Sequence, residues 1–145
     1  MNLLTNVGPN ALRYWTEPLL EAHFQESARG DWVLKPDWDT YRTLYEQEHL
    51  LNVIAVENDQ CVGYAVNILT HHLHYMDTRI SQNDVIFVTP EARASAGGRI
   101  MVAMRRLSKQ WGAAKLLWHA KFDTPLYDTL AARHKPHEAI FVETL

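Results

Sequence analysis

The sequence lacks the features that mark several large classes of protein. It has a single cysteine, Cys61, so no internal disulfide framework can form, and this usage favours a reducing compartment. No stretch approaches the roughly 18 apolar residues that a membrane-spanning helix needs. The opening MNLLTNVGPN has neither the basic start nor the long apolar run of a signal peptide. We therefore expect a cytoplasmic protein that has no membrane partner.

An excess of positive charge is also missing. Fourteen lysines and arginines stand against 17 aspartates and glutamates, which gives a net charge of −3. No global basic field exists to hold a nucleic acid, although a local patch could still hold a small anion. The chain carries neither a G-x-G-x-x-G motif followed by an acidic residue nor a Walker lysine. These absences exclude bulk polyanion binding and the doubly wound nucleotide-binding folds.

What remains is a chain of 145 residues with 47% hydrophobic residues, which predicts one soluble globular domain over residues 1–145. Hydrophobic periodicity predicts the order helix, helix, hairpin, strand, helix, strand, helix, strand. The predicted helices cover residues 10–28, 37–51, 100–111 and 124–134, and the predicted strands cover residues 52–57, 61–69, 85–88, 115–120 and 139–143. Residues 70–83 are polar and predicted to be irregular. A hairpin that feeds one central βαβ crossover predicts an α/β (α+β) fold with a mixed, mostly antiparallel sheet and helices on both faces.

The most informative stretch runs from Asp84 to Arg106, where a buried strand passes through a small-residue loop into an amphipathic helix. The first N–H groups of a helix have no internal partner and carry about half a positive charge of the macrodipole. A loop of small residues lets an anion approach these groups, and Arg93 and Arg99 add positive charge. The stretch predicts a diphosphate-binding site. The alternative is a joint that needs Gly97 and Gly98 only to turn the chain.

The spacing Val88-x-Pro90 followed by Arg93-x-x-Ala96-x-Gly98 resembles the acetyl-CoA loop of the GCN5-related N-acetyltransferases, including their compact phage and bacterial members. The resemblance implies that acetyl-CoA is the cofactor and that its pantetheine arm pairs with the strand backbone at Phe87 and Val88. It also implies that the diphosphate lies on the loop formed by Arg93, Ala94, Ser95, Ala96, Gly97, Gly98 and Arg99. Ala96 stands where the family has its first glycine, and its methyl group is tolerable there if φ is negative.

Two catalytic positions of the family are not matched. Val85 occupies the place of a glutamate that many relatives carry, and the adjacent Asp84 should face the opposite side of a regular strand. The family's tyrosine general acid falls at Leu130. Tyr127 lies one turn earlier on the same helical face and is our candidate for that role, with simple packing as the alternative.

A histidine cluster, His71-His72-Leu73-His74-Tyr75-Met76-Asp77, has three possible roles. The histidines are zinc ligands, or a polar strand end without chemistry, or a wall of the acceptor site. In the last case His72 or His74 supplies a base, with Asp77 or Asp84 beside it, because histidine suits proton transfer near neutral pH. Zinc would need further ligands at defined geometry, and we predict no metal site.

Together these features predict an acetyl-CoA-dependent N-acetyltransferase that moves an acetyl group directly to a primary amine of a small molecule or protein. The candidate catalytic residues are His72, His74, Asp84 and Tyr127. The alternative is a catalytically inactive protein of the same fold that binds CoA or a partner protein. Dimers are common among the resembled proteins, so a homodimer is also an expectation.

Overall fold

A computed structural model describes residues 1–145 and contains one five-stranded sheet in the order β1-β2-β3-β4-β5. The strands are β1 (Asn2–Thr5), β2 (Leu50–Glu57), β3 (Gln60–His72), β4 (Tyr75–Val88) and β5 (Lys115–Leu117). The helices are α1 (Pro9–Thr16), α2 (Leu20–Ser27), α3 (Trp38–Glu46), α4 (Gly98–Gln110) and α5 (Pro125–Ala131). All strand pairs are antiparallel except β4 and β5, which α4 connects as a parallel pair. The predicted fold class and its single βαβ crossover are confirmed.

The sheet separates two apolar layers. Helix α4 packs on one face through Ile100, Met104 and Leu107, which form the apolar side of the predicted amphipathic helix. The first three helices cover the other face, where Leu12 is buried against strand residues that include Tyr64. Seven of the eight residues of β2 are buried, as a central strand covered on both faces requires. None of the helices has the length and apolarity needed to cross a membrane.

The sequence analysis was wrong about the extents of β3 and β4 and about the existence of β1. Residues 70–83 are not irregular, because β3 continues to His72 and β4 already begins at Tyr75. Strand β1 was not predicted at all, since four residues are too few to show a period of two. It forms by pairing with residues 53–56 of β2, and the side chain of Asn52 supports the chain just after it. That buried amide accepts from the N–H of Val7 and donates to its carbonyl, both at 2.9 Å.

The predicted last strand, residues 139–143, is also wrong. Helix α5 ends at Ala131, and residues 135–145 form no regular element. Phe141 is 94% exposed and so has no apolar neighbour to cover it. An apolar run becomes a strand only where another edge pairs with it, and no edge of this sheet reaches the segment.

Glycine 63 allows β3, β4 and α4 to approach one another closely. A Cβ atom at Gly63 would lie 3.0 Å from the carbonyl oxygen of Phe87 and 3.1 Å from Cδ1 of Ile100. Because Gly63 has no side chain, the end of β4 and the start of α4 can lie directly against β3.

We expect Gly63→Ala to lower the free energy of unfolding by about 1–3 kcal/mol, because the backbone of β4 must shift to admit the methyl group. Urea denaturation monitored by circular dichroism measures this loss. Gly98→Ala is the matched control, since a Cβ atom there meets nothing within 4 Å. If the two variants have the same stability, the close approach at Gly63 does not constrain the fold.

Candidate active site

Strands β4 and β5 pair over only three residues and then separate. The last pair joins Gln82 to Leu117, and beyond it the rest of β4 has no strand on that side. Immediately after this last pair, the side chain of Asn83 makes the final hydrogen bonds between β4 and the chain that follows β5. Its Nδ2 donates to the carbonyl of His119 at 3.0 Å, and its Oδ1 accepts from the N–H of His119 at 2.5 Å. From this clamp onward, residues 84–88 border an open gap in the sheet.

The backbone of Val88 faces this gap. The N–H of Thr89 donates to Val62 of β3 at 2.9 Å, and backbone groups alternate in direction along an antiparallel strand. Val88 therefore directs its N–H and carbonyl away from β3, as the resemblance implied. Phe87 pairs with Tyr64 and points its backbone groups toward β3, so these groups do not face the gap, although the resemblance implied that they would.

The segment after β4 is helical and not the predicted loop. Residues Pro90–Ala92 form a 3-10 turn and Arg93–Gly97 form a π-helical turn that runs directly into α4. Bonds from each carbonyl to the fifth N–H group along the chain leave the first N–H groups of this turn without partners inside the helix. A widened first turn thus presents these N–H groups at the start of α4.

Small residues let the inner side of this turn pack against the core and leave its outer side unobstructed. Ala96 is completely buried with α4 and β3, so its methyl group points into the core and away from any ligand. Its φ is negative, as the sequence analysis required. Gly97 and Gly98 face open space, where a Cβ atom would meet no protein atom within 4 Å. A ligand can therefore approach the backbone here, and the residues fit a diphosphate.

The remaining predicted residues of the turn differ in their exposure and in their hydrogen-bond partners within the protein. Ala94, Ser95 and Arg99 are exposed, and Ser95 donates its hydroxyl to the carbonyl of Ala92 at 3.1 Å. The guanidinium of Arg93 is engaged within the protein. Its Nε donates to the carbonyl of Val88 at 3.3 Å, and its Nη2 forms an ion pair with Glu26 of α2.

The carboxyl-terminal end of α2 contacts both sides of the gap. Glu26 pairs with Arg93, which follows β4, and the carbonyl of Ser27 accepts from Nζ of Lys121, which follows β5. Desolvation and the nearby Arg29 lower the pKa of Lys121 from its ordinary value. One helix end thus spans the opening between the two diverging strands.

On the same side of α2 lies a cleft of about 480 Å³, bounded by the first three helices and by β3 and β4. Its lining includes Leu12, Leu20, His23, Phe24, Trp32, Val33, Lys35, Trp38, Tyr41, Tyr64, Asp84 and Val85. The position of the cleft beside the free end of β4 makes it the natural place for a second substrate.

A β-bulge brings Asp84 into the cleft. Val85 pairs with Val66 and Asn83 pairs with Asn67, so Asp84 is an extra residue without a partner on β3. Asp84 and Val85 both line the cleft, whereas regular alternation had placed them on opposite sides. The predicted opposite orientation of Asp84 was therefore wrong, because a bulge cannot be seen in the alternation pattern.

Tyr41 orients this carboxylate. Its hydroxyl donates to Oδ2 of Asp84 at 2.9 Å. Desolvation raises the pKa of Tyr41, and the charge of Asp84 raises it further, so Tyr41 stays a neutral donor. One carboxylate oxygen is held in place and the other is free to accept from a ligand.

A half-buried histidine, His23, also lines the cleft. The ring of His23 stacks on Phe87 with centroids 4.9 Å apart, and its Nδ1 shares a 2.8 Å hydrogen bond with the hydroxyl of Tyr64. Desolvation lowers the pKa of His23 from its ordinary 6.5, a shift that Lys121 favours and that Glu26 and Asp84 oppose. His23 is thus neutral near pH 7.

Comparison with solved structures identifies the fold. The chain superposes on a ribosomal-protein-alanine N-acetyltransferase from Brucella melitensis biovar Abortus 2308 with a TM-score of 0.73, 14% identity and 100% coverage of both chains. The chain has the GCN5-related N-acetyltransferase fold. No family model matches the sequence. No curated protein matches it either.

Two further structures with this acetyltransferase fold contain ligands. An aminoglycoside acetyltransferase from an uncultured soil metagenomic sample, in complex with sisomicin, matches with a TM-score of 0.75 and 14% identity over 99% of this chain and 95% of its own. The aminoglycoside N-acetyltransferase AAC(6')-Iy in complex with CoA matches with a TM-score of 0.70 and 14% identity over 99% of each chain.

Within this fold the predicted histidine wall does not form. His72 and His74 lie at the tip of the β3–β4 hairpin, where Nδ1 of His72 accepts from the N–H of His74 at 3.1 Å. His72 pairs with Tyr75, and Asp84 lies nine positions further along the strand, a distance of roughly 30 Å. The two histidines and Asp77 are therefore remote from Asp84, because a long hairpin replaced the predicted irregular segment.

Tyr127 is not among the residues that line the cleft either. It is half-buried on α5, and its ring lies 5.1 Å from that of the exposed Phe122. Of the four predicted catalytic residues, Asp84 lines the cleft, whereas His72, His74 and Tyr127 do not. The structure adds His23, Tyr41 and Tyr64, which sequence spacing could not reveal because their contacts join residues more than 40 positions apart.

The lowered pKa of His23 has a consequence for stability. Between the native pKa and 6.5 the unfolded chain binds more protons than the native chain, so the free energy of unfolding falls as the pH drops below about 6.5. We expect His23→Gln to show a smaller fall than the wild type in urea denaturation between about pH 5 and 8. His74→Gln, at the exposed hairpin tip, is the control. An identical pH dependence in His23→Gln contradicts the assigned burial effect.

Proposed function

We propose that this protein is an acetyl-CoA-dependent N-acetyltransferase that transfers the acetyl group directly to a primary amine. The observation that carries the proposal is the widened helical turn that follows β4, whose outer side is unobstructed at Gly97 and Gly98. A second opening, the cleft with Asp84, reaches the same free strand end from the other side. Cofactor and acceptor can therefore meet at one point.

The residues divide into those that hold the cofactor and those that hold the amine. The first N–H groups of the turn, from Ala94 to Ala96, and the positive charges of Arg93 and Arg99 would hold the diphosphate, and the backbone of Val88 would pair with the pantetheine arm. When bound, acetyl-CoA supplies a thioester, so the amine nitrogen bonds to the acetyl carbon while the carbon–sulfur bond breaks and CoA leaves as the thiol.

Asp84 receives the incoming amine as an ammonium ion, and the proton then passes to water or to the neutral imidazole of His23. An amine with an ordinary pKa of about 10.4 costs about 4–5 kcal/mol to deprotonate at neutral pH. A general base contributes about 10² to 10⁴ in rate, whereas holding two reactants in line supplies about 7–11 kcal/mol. Positioning therefore dominates, and the absence of the family's glutamate at Val85 and tyrosine at Leu130 does not prevent transfer.

A second candidate function is binding without turnover. The ion pair between Arg93 and Glu26 supports it, because the guanidinium expected to meet a diphosphate already has an anionic partner. In this case the protein binds CoA or a partner protein and releases no product.

A thermal-shift series with acetyl-CoA and CoA, followed by a thiol-release assay with an amine panel, separates these functions. We expect both ligands to raise the melting temperature of the wild type and an amine to trigger thiol release. Stabilisation without thiol release supports the second function. No shift at millimolar ligand rejects both.

The variant Gly98→Leu tests the helical turn itself. Since its side chain points into open space, the fold should be intact while cofactor affinity falls at least about tenfold, measured by calorimetry. Gly8→Leu, also unobstructed but at the start of α1, is the matched control. Unchanged affinity in Gly98→Leu shows that the turn does not bind the diphosphate.

Arg93 and Glu26 should have opposite effects on cofactor binding. Arg93→Ala removes a charge-assisted contact and should weaken binding roughly five- to tenfold at low salt, with the difference shrinking as salt rises. Glu26→Gln releases the guanidinium and should strengthen binding. Arg106→Ala, two turns along α4, is the control. A loss in Arg93→Ala that does not depend on salt indicates packing instead of charge.

A further inference from the structure

We propose that the acceptor is a small molecule with one primary amine carried on an aromatic or other apolar group, and not a polycationic amine. This inference rests on the proposed function and specifies the substrate class of the same cleft. It follows from the character of the cleft walls, from the number of carboxylates, and from the loop at the cleft entrance.

The walls of the cleft are predominantly apolar. Eleven of its 17 lining residues are hydrophobic. The aromatic ones are Phe24, Trp32, Trp38, Tyr41 and Tyr64. Flat side chains of this kind bind flat apolar groups by stacking and by excluding water. A sugar-like or polyamine ligand would leave most of these surfaces without a matching group.

The cleft offers a single negative charge. Asp84 is the only carboxylate among its lining residues, and the hydroxyl of Tyr41 holds one of its oxygens. The lining groups that can carry positive charge are His23 and Lys35. One ammonium can pair with Asp84, but a second would find no partner and would face positive charge.

The entrance is formed by the loop between α2 and α3. Trp32 and Val33 line the cleft there and are 64% and 84% exposed. Large apolar side chains are usually covered unless a ligand or partner supplies the cover. An apolar group anchored through its amine to Asp84 would lie beneath this loop, and its size suits a cleft of about 480 Å³.

Calorimetric titration of the protein without cofactor tests the inference. The probes are 2-phenylethylamine, 2-phenylethanol as the match without an amine, and sisomicin and spermidine as polycations. We expect 2-phenylethylamine to bind at least about tenfold tighter than the other three, since only it satisfies both the carboxylate and the walls. Equal or tighter binding of a polycation, or no binding of 2-phenylethylamine at 10 mM (about its practical limit), overturns the inference.

Two variants separate the carboxylate from general electrostatics. Asp84→Asn keeps an acceptor for Tyr41 but loses the charge, and should weaken 2-phenylethylamine binding about tenfold. Asp77 is exposed on the same strand but outside the cleft, so Asp77→Asn should change the affinity for 2-phenylethylamine by less than about twofold. Unchanged affinity in Asp84→Asn contradicts the assignment, provided its melting temperature matches the wild type.

The outcomes also distinguish this inference from the proposed function. If 2-phenylethylamine binds through Asp84 but acetyl-CoA does not bind, the substrate class holds and the transferase function fails. If acetyl-CoA binds and thiol is released with spermidine or sisomicin but not with 2-phenylethylamine, the function holds and the substrate class is wrong.

Discussion

The paired hydrogen bonds between the Asn83 amide and the backbone of His119 are the interaction on which the site depends. They place a side chain where the next backbone pair of a parallel ladder would be, so β5 stops pairing at Leu117 while β4 continues. The bulge at Asp84 follows at once and turns a carboxylate into the cleft. Two consecutive residues thus shape the site: Asn83 ends the pairing with β5, and Asp84 places a carboxylate beside the resulting gap.

Helix α2 links the two halves of this site. It has only eight residues, yet it carries His23 toward the cleft, Glu26 toward the helical turn, and Ser27 toward the segment after β5. Any ligand that draws Arg93 away from Glu26 acts on the helix that also holds His23. Helix α2 therefore contacts both the proposed diphosphate position and the proposed acceptor cleft, and occupancy of one would alter the other through it.

Much of the fold could be predicted because local signals agreed with tertiary packing. The apolar positions of α4 at Ile100 and Met104, and the central hairpin, follow directly from periodicity. At Ala96 the structure meets the condition that the sequence analysis set, since φ is negative there and the methyl group is buried in the core. The errors fall where pairing partners decide the outcome, as in the β3–β4 extension and the exposed run around Phe141.

The sequence by itself determined the order of the elements from the first helix to α5 and the small-residue turn with its resemblance to an acetyl-CoA site, because these depend on residues that are close together in the chain. Only the tertiary structure decided that His72 and His74 are remote from Asp84 and that His23, Tyr41 and Tyr64 surround the cleft. A bulge, a side-chain clamp and a desolvated histidine each arise from contacts between distant parts of the chain, and no local pattern encodes such contacts.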